Sequence, residues 1–318
     1  MDADLLVPQF QDANAARAFL EQQRWPDGVV CPHCGVIGEA YKLKPGEGST
    51  TRNGLWKCAA CREQFTVTVG TIFEDSHIPL NKWLMAIHLL CASKKGISAH
   101  QLHRMLGVTY KSAWFMAHRI RYAMTQEPLS SKLSGTVEID ETYIGPKERG
   151  SGRPGVPGPF SKKTPVVSMV ERSLVKGRPG RVRSVALERV TVKNLKPILK
   201  AYIHSGAALN TDEATVYHFI GKDFARHDHV SHKAKEYSKV VEGRKITTNT
   251  VEGYFALLKR GVHGVYHHVS RAHLHRYLSE FDFRYNARKA PDSERASLAL
   301  RGINGKRLTY RDSCRRAG

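Results

Sequence analysis

Val137-Glu138-Ile139-Asp140-Glu141-Thr142-Tyr143-Ile144-Gly145 decides the reading of this 318-residue chain. Apolar Val137 and Ile139 alternate with Glu138 and Asp140, the period of two that marks a strand with one buried face. Glu138 and Asp140 share the other face, and the alternation directs Glu138 outward. A carboxylate in mid-strand is costly unless it is a ligand or faces solvent. Before Thr136 the pattern is helical and after it α/β, so this stretch also opens a domain.

Downstream, Gly145 to Lys163 is rich in Gly, Pro and basic residues, too long and polar to be core. Strands are predicted over Pro165–Glu171 and Val182–Leu187, and a helix over Lys193–His204. The short strand Ala207–Thr211 leads into Asp212, at a strand end where open α/β sheets bind ligands. Another strand lies near Phe224–Val230, and helices over Thr248–Gly261 and Ser270–Arg288 close the domain. On the first of these helices, at about 100° per residue, Glu252, Ala256, Lys259 and His263 share one stripe. Val251, Phe255, Leu258 and Val262 form a separate, core-facing stripe. Asn249, one turn before Glu252, is placed to help hold a metal or DNA.

In-line attack on a phosphodiester needs charge stabilised on both the entering and the leaving oxygen. Two divalent ions about 4 Å apart do this when carboxylates from separate elements converge on them. Mg²⁺ prefers oxygen ligands and keeps several waters, so three acids suffice. Asp140, Asp212 and Glu252 are the candidates, although each alone reads as readily as a solvated surface acid.

Upstream, three helices are predicted over Lys82–Ser93, Ser98–Leu106 and Tyr110–Met124, with breaks at Gly96 and Gly107-Val108. Their spacing is that of a helix-turn-helix, with Ser98 as an N-cap. The third helix carries Lys111, His118, Arg119 and Arg121 on its predicted polar side, suited to phosphate or base contacts. A three-helix packing unit without a DNA role is the alternative. Nearer the N-terminus, residues 9–23 read as a helix with Phe10, Ala13, Ala16, Phe19 and Leu20 as its apolar stripe. Short strands and turns follow, the last strand being Phe65-Thr66-Val67-Thr68-Val69.

Cys31-Pro32-His33-Cys34-Gly35 and Cys58-Ala59-Ala60-Cys61-Arg62 lie within those turns. Each Cys-x-x-Cys loop offers two thiolates, and two such loops complete a tetrahedral zinc site with no open position. This zinc is structural and not the catalytic metal. A redox pair would need only one such loop. Cys91 and Cys314 fall outside the pattern, as a buried thiol and a tail thiol.

The formal net charge of +21 suits a polyanionic partner, because each neutralised phosphate releases counterions. With 41% hydrophobic residues the chain can bury real cores, and its length allows two or three domains. Met1-Asp2-Ala3-Asp4 is acidic, unlike a signal peptide, and the apolar run Trp83–Ala92 is too short to span a bilayer. A cytoplasmic protein without a membrane partner is expected. Histidines gather at His263, His267, His268, His273 and His275, and at His227, His229 and His232. They read as a second metal site, as phosphate contacts or as plain surface.

Taken in order, the 137–145 stretch, Asn210-Thr211-Asp212, Thr248-Asn249-Thr250-Val251-Glu252-Gly253-Tyr254-Phe255 with Leu258-Lys259-Arg260-Gly261, and Glu280-Phe281-Asp282-Phe283-Arg284-Tyr285-Asn286 resemble bacterial insertion-sequence DDE transposases. The resembling branch carries an N-terminal zinc ribbon and is akin to the Merlin superfamily. The resemblance runs from about Trp25 to Arg288. It implies an RNase H-like fold, with Asp140, Asp212 and Glu252 binding two Mg²⁺ ions and Lys259 contacting DNA. In this branch an asparagine before the glutamate recurs, leaving open whether Asn249 or Glu252 completes the metal site. The resemblance further implies binding of double-stranded DNA at the element's terminal inverted repeats, strand transfer into target DNA, and a homodimer or higher synaptic oligomer.

The expected architecture is therefore a multidomain α/β (α+β) chain. Residues 1–70 hold a helix and the zinc ribbon, 71–130 a helix-turn-helix-like module, 131–290 an RNase H-like mixed-sheet catalytic domain, and 291–318 a basic, solvated or DNA-contacting extension. Site expectations are Asp140, Asp212 and Glu252 for catalysis, and Cys31, Cys34, Cys58 and Cys61 for zinc. Lys259, Asn249, His263, Lys111, Arg119 and Arg121 are expected on DNA. An RNase H-like nuclease or resolvase would not require the N-terminal modules. A non-catalytic zinc-ribbon regulator would leave the three acids unexplained, and a tyrosine or serine recombinase would not need them.

Overall fold

A computed structural model describes residues 6–44, 52–125, 131–146, 163–173, 180–231, 234 and 236–314. Most of the Gly145–Lys163 loop and His232 therefore lie outside the described residues. The chain forms two compact units, Met1–Met124 with Ala290–Arg315, and Thr125–Lys289. No helix among the described residues is long and apolar enough to cross a membrane.

In the first unit, α1 (Pro8–Gln11) and α2 (Ala13–Arg24) replace the single predicted helix. The break falls at Asp12, whose carboxylate caps α2 by accepting from Ala15 N at 2.7 Å. Three short strands, β1 (Ala40–Lys42), β2 (Trp56–Cys58) and β3 (Gln64–Phe65), make an antiparallel sheet in that order. Trp25 packs edge-on against Trp56 and Phe65, both at 5.9 Å. The strand predicted to run on to Val69 stops at Phe65. The threonines turn the chain instead, with Thr66 Oγ1 and Thr68 Oγ1 2.7 Å apart and Val69 N donating to Thr66 O.

Helices α3 (Leu80–Ala92), α4 (Ala99–Leu106) and α5 (Tyr110–Ala123) follow as predicted. Ser98 Oγ accepts from Gln101 N, Gly107 takes a left-handed φ of 59°, and Thr109 Oγ1 accepts from Ser112 N. These are the stop and start signals of two helices joined by a tight turn.

The second unit is built on β4 (Thr136–Ile144), β5 (Thr164–Glu171) and β6 (Val182–Ala186), then α6 (Val192–Tyr202), β7 (Ala208–Thr211), α7 (Thr215–Gly221) and β8 (Arg226–His229). A hairpin, β9 (Ser238–Val241) with β10 (Arg244–Thr247), precedes α8 (Asn249–Gly261), a π-helical turn (Val262–Tyr266) and α9 (Arg271–Asn286). The five-stranded sheet runs β6-β5-β4-β7-β8, antiparallel across the first three strands and parallel from β4 to β8. Val137, Ile139, Val167, Met169 and Leu209 pack one face against Leu195 and Leu199 of α6 and Tyr217 and Ile220 of α7. Val166, Val170 and Val182 pack the other against Val251, Tyr254, Phe255 and Leu258 of α8 and Leu274, Leu278 and Phe281 of α9. This is the mixed α/β arrangement expected of an RNase H-like domain.

The Glu280–Asn286 motif locks α9 to the sheet edge. Asp282 accepts from Ser184 N, Ser184 Oγ and Tyr254 OH at 2.6–2.7 Å, and Asn286 pairs with both backbone groups of Val182. Glu280 and Arg284 form a buried ion pair, with Tyr266 OH donating to Glu280.

The tail after Ala290 is not a solvated extension. Helices α10 (Asp292–Arg301) and α11 (Tyr310–Cys314) follow, and α10 lies along α3 in the first unit. Ala299, Leu300, Ile303 and Leu308 are buried there, and Arg295 donates to Cys91 O at 2.9 Å. Sparse apolar residues at helical spacing were masked by the surrounding arginines.

Candidate active site

The four cysteines come together. Each knuckle closes with a backbone bond from its fifth residue, Gly35 N to Cys31 O at 2.9 Å and Arg62 N to Cys58 O at 3.1 Å. Both fifth residues are left-handed, Gly35 at φ 78° and Arg62 at φ 62°. Cys31 Sγ lies 3.7 Å from Cys61 Sγ, and Cys34 Sγ lies 3.7 Å from Cys58 Sγ. A zinc tetrahedron with Zn–S bonds of about 2.3 Å has edges of about 3.8 Å, so the thiols fit a structural zinc. All four sulfurs lie within 4.8 Å of one another. Cys91 is buried elsewhere in the unit.

The carboxylates form a looser group. Asp140 sits mid-way along β4, paired in register with Ser168. Burial, then the charge on Glu141, then the charges on Asp212 and Glu252, push its carboxyl up to about 8, against a 2.8 Å hydrogen bond from Glu141 N. Asp212 stands one residue past β7, where Oδ1 accepts from Ala214 N at 3.0 Å. Thr211 before it bonds His227 Nε2 at 2.8 Å. Glu252 lies in the first turn of α8 and accepts from Thr248 Oγ1 at 3.0 Å. Asp140 on its strand thus feels the charges of Asp212 from a strand end and Glu252 from a helix. Among the described residues only the cysteines bring three or more metal-ligand atoms within 4.8 Å, so the acids are spaced more widely than the thiols. The three carboxylates are half-buried, and their wider spacing leaves space for the waters that Mg²⁺ keeps among its ligands.

The stripes predicted for this segment keep their sides through α8 and into the π-helical turn, with Val251, Phe255, Leu258 and Val262 buried, Ala256, Lys259 and His263 exposed and Glu252 half-buried. Asn249 is exposed at the start of the helix. Lys111 is also exposed on α5, its ammonium 4.5 Å from the centre of the Tyr310 ring.

Arg119 and Arg121 depart from expectation. They are 4% and 2% exposed, and His118 is fully buried. Arg119 donates to Glu74 O and stacks on Trp83 and Phe115, and burial lowers its pKa to about 10. The polar side of α5 predicted from these residues is interior, covered by the rest of the unit.

Several residues near the acids take places that the sequence did not assign them. Glu138, predicted to face outward, is fully buried. Its Oε2 accepts from Thr250 N at 2.7 Å and Val251 N at 3.2 Å, and its Oε1 from Thr250 Oγ1 at 2.8 Å, with Arg172 Nε at 3.5 Å. The face it shares with Asp140 was readable; the helix N-terminus covering that face was not. Asn210, opposite Glu138 in register, is buried. Glu141 accepts from buried Tyr217 OH at 2.5 Å, and burial raises its pKa. His218, His227 and His229 cluster with ring centres 6.2–6.5 Å apart, too open to count as a metal-ligand group.

The second unit is thus an RNase H-like mixed sheet with Asp140 at mid-strand, Asp212 at a strand end and Glu252 on a helix. Residues 132–286 match the ISXO2-like transposase domain family, and residues 11–64 match the transposase zinc-ribbon domain family. The chain belongs to the insertion-sequence transposases that carry this pair of domains. It is 26% identical over 306 residues to a protein of Halobacterium salinarum described as an uncharacterized protein in transposable element ISH50, an alignment covering 92% of this chain and 98% of that one. No solved structure matches the chain.

Proposed function

We propose that this chain binds the terminal inverted repeats of its insertion sequence and catalyses DNA cleavage and strand transfer at Asp140, Asp212 and Glu252. The observation that carries the proposal is the Asp140 carboxyl, held mid-strand among the charges of Glu141, Asp212 and Glu252. A carboxyl held at such a cost beside two further acids is suited to ligate Mg²⁺ with them. Bound there as two ions, Mg²⁺ supplies activation of the attacking oxygen and neutralises the leaving one.

The chain's own residues do the rest. Asp140 and Asp212 offer carboxylates from the sheet and Glu252 one from α8, each fixed by its element. Lys259, two helical turns beyond Glu252, meets the DNA backbone, with Asn249 on the same helix and His263 in the π-helical turn that follows it, while Lys111 contacts DNA from the helix-turn-helix-like module. A water and then the freed 3′-hydroxyl serve as nucleophiles, so no covalent protein–DNA intermediate and no nucleophilic Tyr or Ser is required. The zinc ribbon and helical module position the DNA end. Synapsis of two ends calls for a homodimer or larger assembly, acting on the nucleoid in the cytoplasm.

A labelled duplex carrying an end of the element, incubated with target plasmid and Mg²⁺, tests this. Joined product is expected in Mg²⁺ and none without it. Cleavage without joining under every metal condition would instead identify a nuclease.

A further inference from the structure

The second unit has a cavity of about 210 Å³. Three arginines from different parts of the fold line it, Arg172 after β5, Arg226 at the start of β8 and Arg244 of β10, together with Lys245, whose side chain alternates to the opposite side of β10 from Arg244. Buried Asn210 lines it as well, and no acid does so among the described residues. Each arginine is instead braced by an acid outside the cavity. Arg172 meets Glu138, Arg226 meets Asp228 at 2.7 Å, and Arg244 meets Glu242. Arg172 also donates to Lys245 O at 2.8 Å, tying the end of β5 to the hairpin. The Nε of Arg244 is buried without a hydrogen-bond partner in the fold. Held guanidiniums and an unmet N–H around one cavity are the donor set of an anion site.

Its place bears on what that anion is. Asn210 precedes Asp212 by two residues and cavity-lining Thr136 precedes Asp140 by four, about 7 Å and about 13 Å along their strands, within the reach of one DNA strand. We infer that this cavity holds a backbone phosphate of the DNA being processed at Asp140, Asp212 and Glu252. The inference rests on the proposed function, since it takes DNA as the substrate. One phosphate shared by several cations fixes the strand's register, in addition to adding affinity.

The test is equilibrium binding of a random-sequence 30-base-pair duplex to the full-length zinc-loaded protein, without Mg²⁺, across a salt series. Arg244→Ala, Arg226→Ala and the double variant are compared with wild type, each checked for unchanged melting temperature. Arg244→Lys serves as the charge-preserving control. Two residues sharing one phosphate act non-additively. Each single variant is expected to weaken binding about 5–10-fold, and the double variant little more. The slope of log K against log salt becomes shallower by about one in the double variant. Arg244→Lys retains most of the salt slope. Additive losses with a slope change near two would mean a diffuse basic surface and overturn the inference, as would unchanged binding. Inorganic phosphate that raises the melting temperature of wild type but not of the double variant, with duplex binding unaltered in both, would also overturn it in favour of a small anion. Failure of wild type to bind duplex at all would strike the proposed function instead.

Discussion

The Glu138 carboxylate grips Thr250 twice, 2.7 Å from its backbone N–H and 2.8 Å from its hydroxyl. Glu138 stands two residues before Asp140 on β4, and Thr250 two residues before Glu252 on α8. The contact therefore fixes the strand acid and the helix acid relative to each other. It also places a negative charge at a helix N-terminus, where unpaired N–H groups favour it.

Glu138→Gln leaves an amide that can accept at only one of its two terminal atoms. A loss of about 1–3 kcal/mol in stability is expected. Cleavage should fall about 10²-fold, because a displacement near 1 Å at a reacting centre costs that much. The half-saturating Mg²⁺ concentration should rise as well. A purely structural role would lower the melting temperature and leave that concentration unchanged.

Asp140 gives a pH dependence with a definite sign. Its folded pKa of about 8 lies above the ordinary carboxyl value, chiefly through burial. Between those values the folded chain keeps a proton the unfolded chain has lost. Mg²⁺-free protein should thus lose stability as pH rises from about 4 to about 8, by on the order of a few kcal/mol. Melting curves in Mg²⁺-free buffer should show this slope in wild type and a flatter one in Asp140→Asn. Added Mg²⁺ should restore wild type above pH 8 and leave the variant unmoved.

At the ribbon, Cys31→Ser should abolish stoichiometric zinc and expose residues 25–65 to limited proteolysis, since a structural zinc contributes on the order of 10 kcal/mol of folding free energy. Arg62→Gly should act oppositely. Arg62 occupies the left-handed position that Gly35 fills in the other knuckle. Relief of that backbone cost should raise the melting temperature slightly, with zinc content unchanged.

Arg119→Ala should behave as a core substitution. Removing a cation stacked between Trp83 and Phe115 is expected to cost about 3 kcal/mol. Below its melting transition, the variant should bind duplex DNA with the salt slope of wild type. A slope shallower by about one would return Arg119 to the DNA interface.

Periodicity and cysteine spacing made much of this legible. The two stripes of α8, the alternation of β4 and the paired knuckles appear in the sequence as they appear in the fold. What escaped depended on tertiary partners or unusual turns. Alternation gave the face of Glu138 but not the helix end lying on it. Helix α5 looked amphipathic around Arg119 and Arg121, yet it is enclosed on those sides. The β9–β10 hairpin turns at Glu242-Gly243, with φ 51° and 74°. That is primed-turn geometry without the Asn or Asp that usually announces it. Helix α7, only seven residues long, was too short for a periodic signal.

The most direct measurement is strand transfer of a labelled element end by Asp140→Asn, Asp212→Asn and Glu252→Gln, each verified for zinc content and duplex binding. The predicted result is loss of at least about 10³-fold in all three with binding retained, because the three carboxylates act as one site. Wild-type joining by any one of them would contradict the assignment of these three acids to a single catalytic centre.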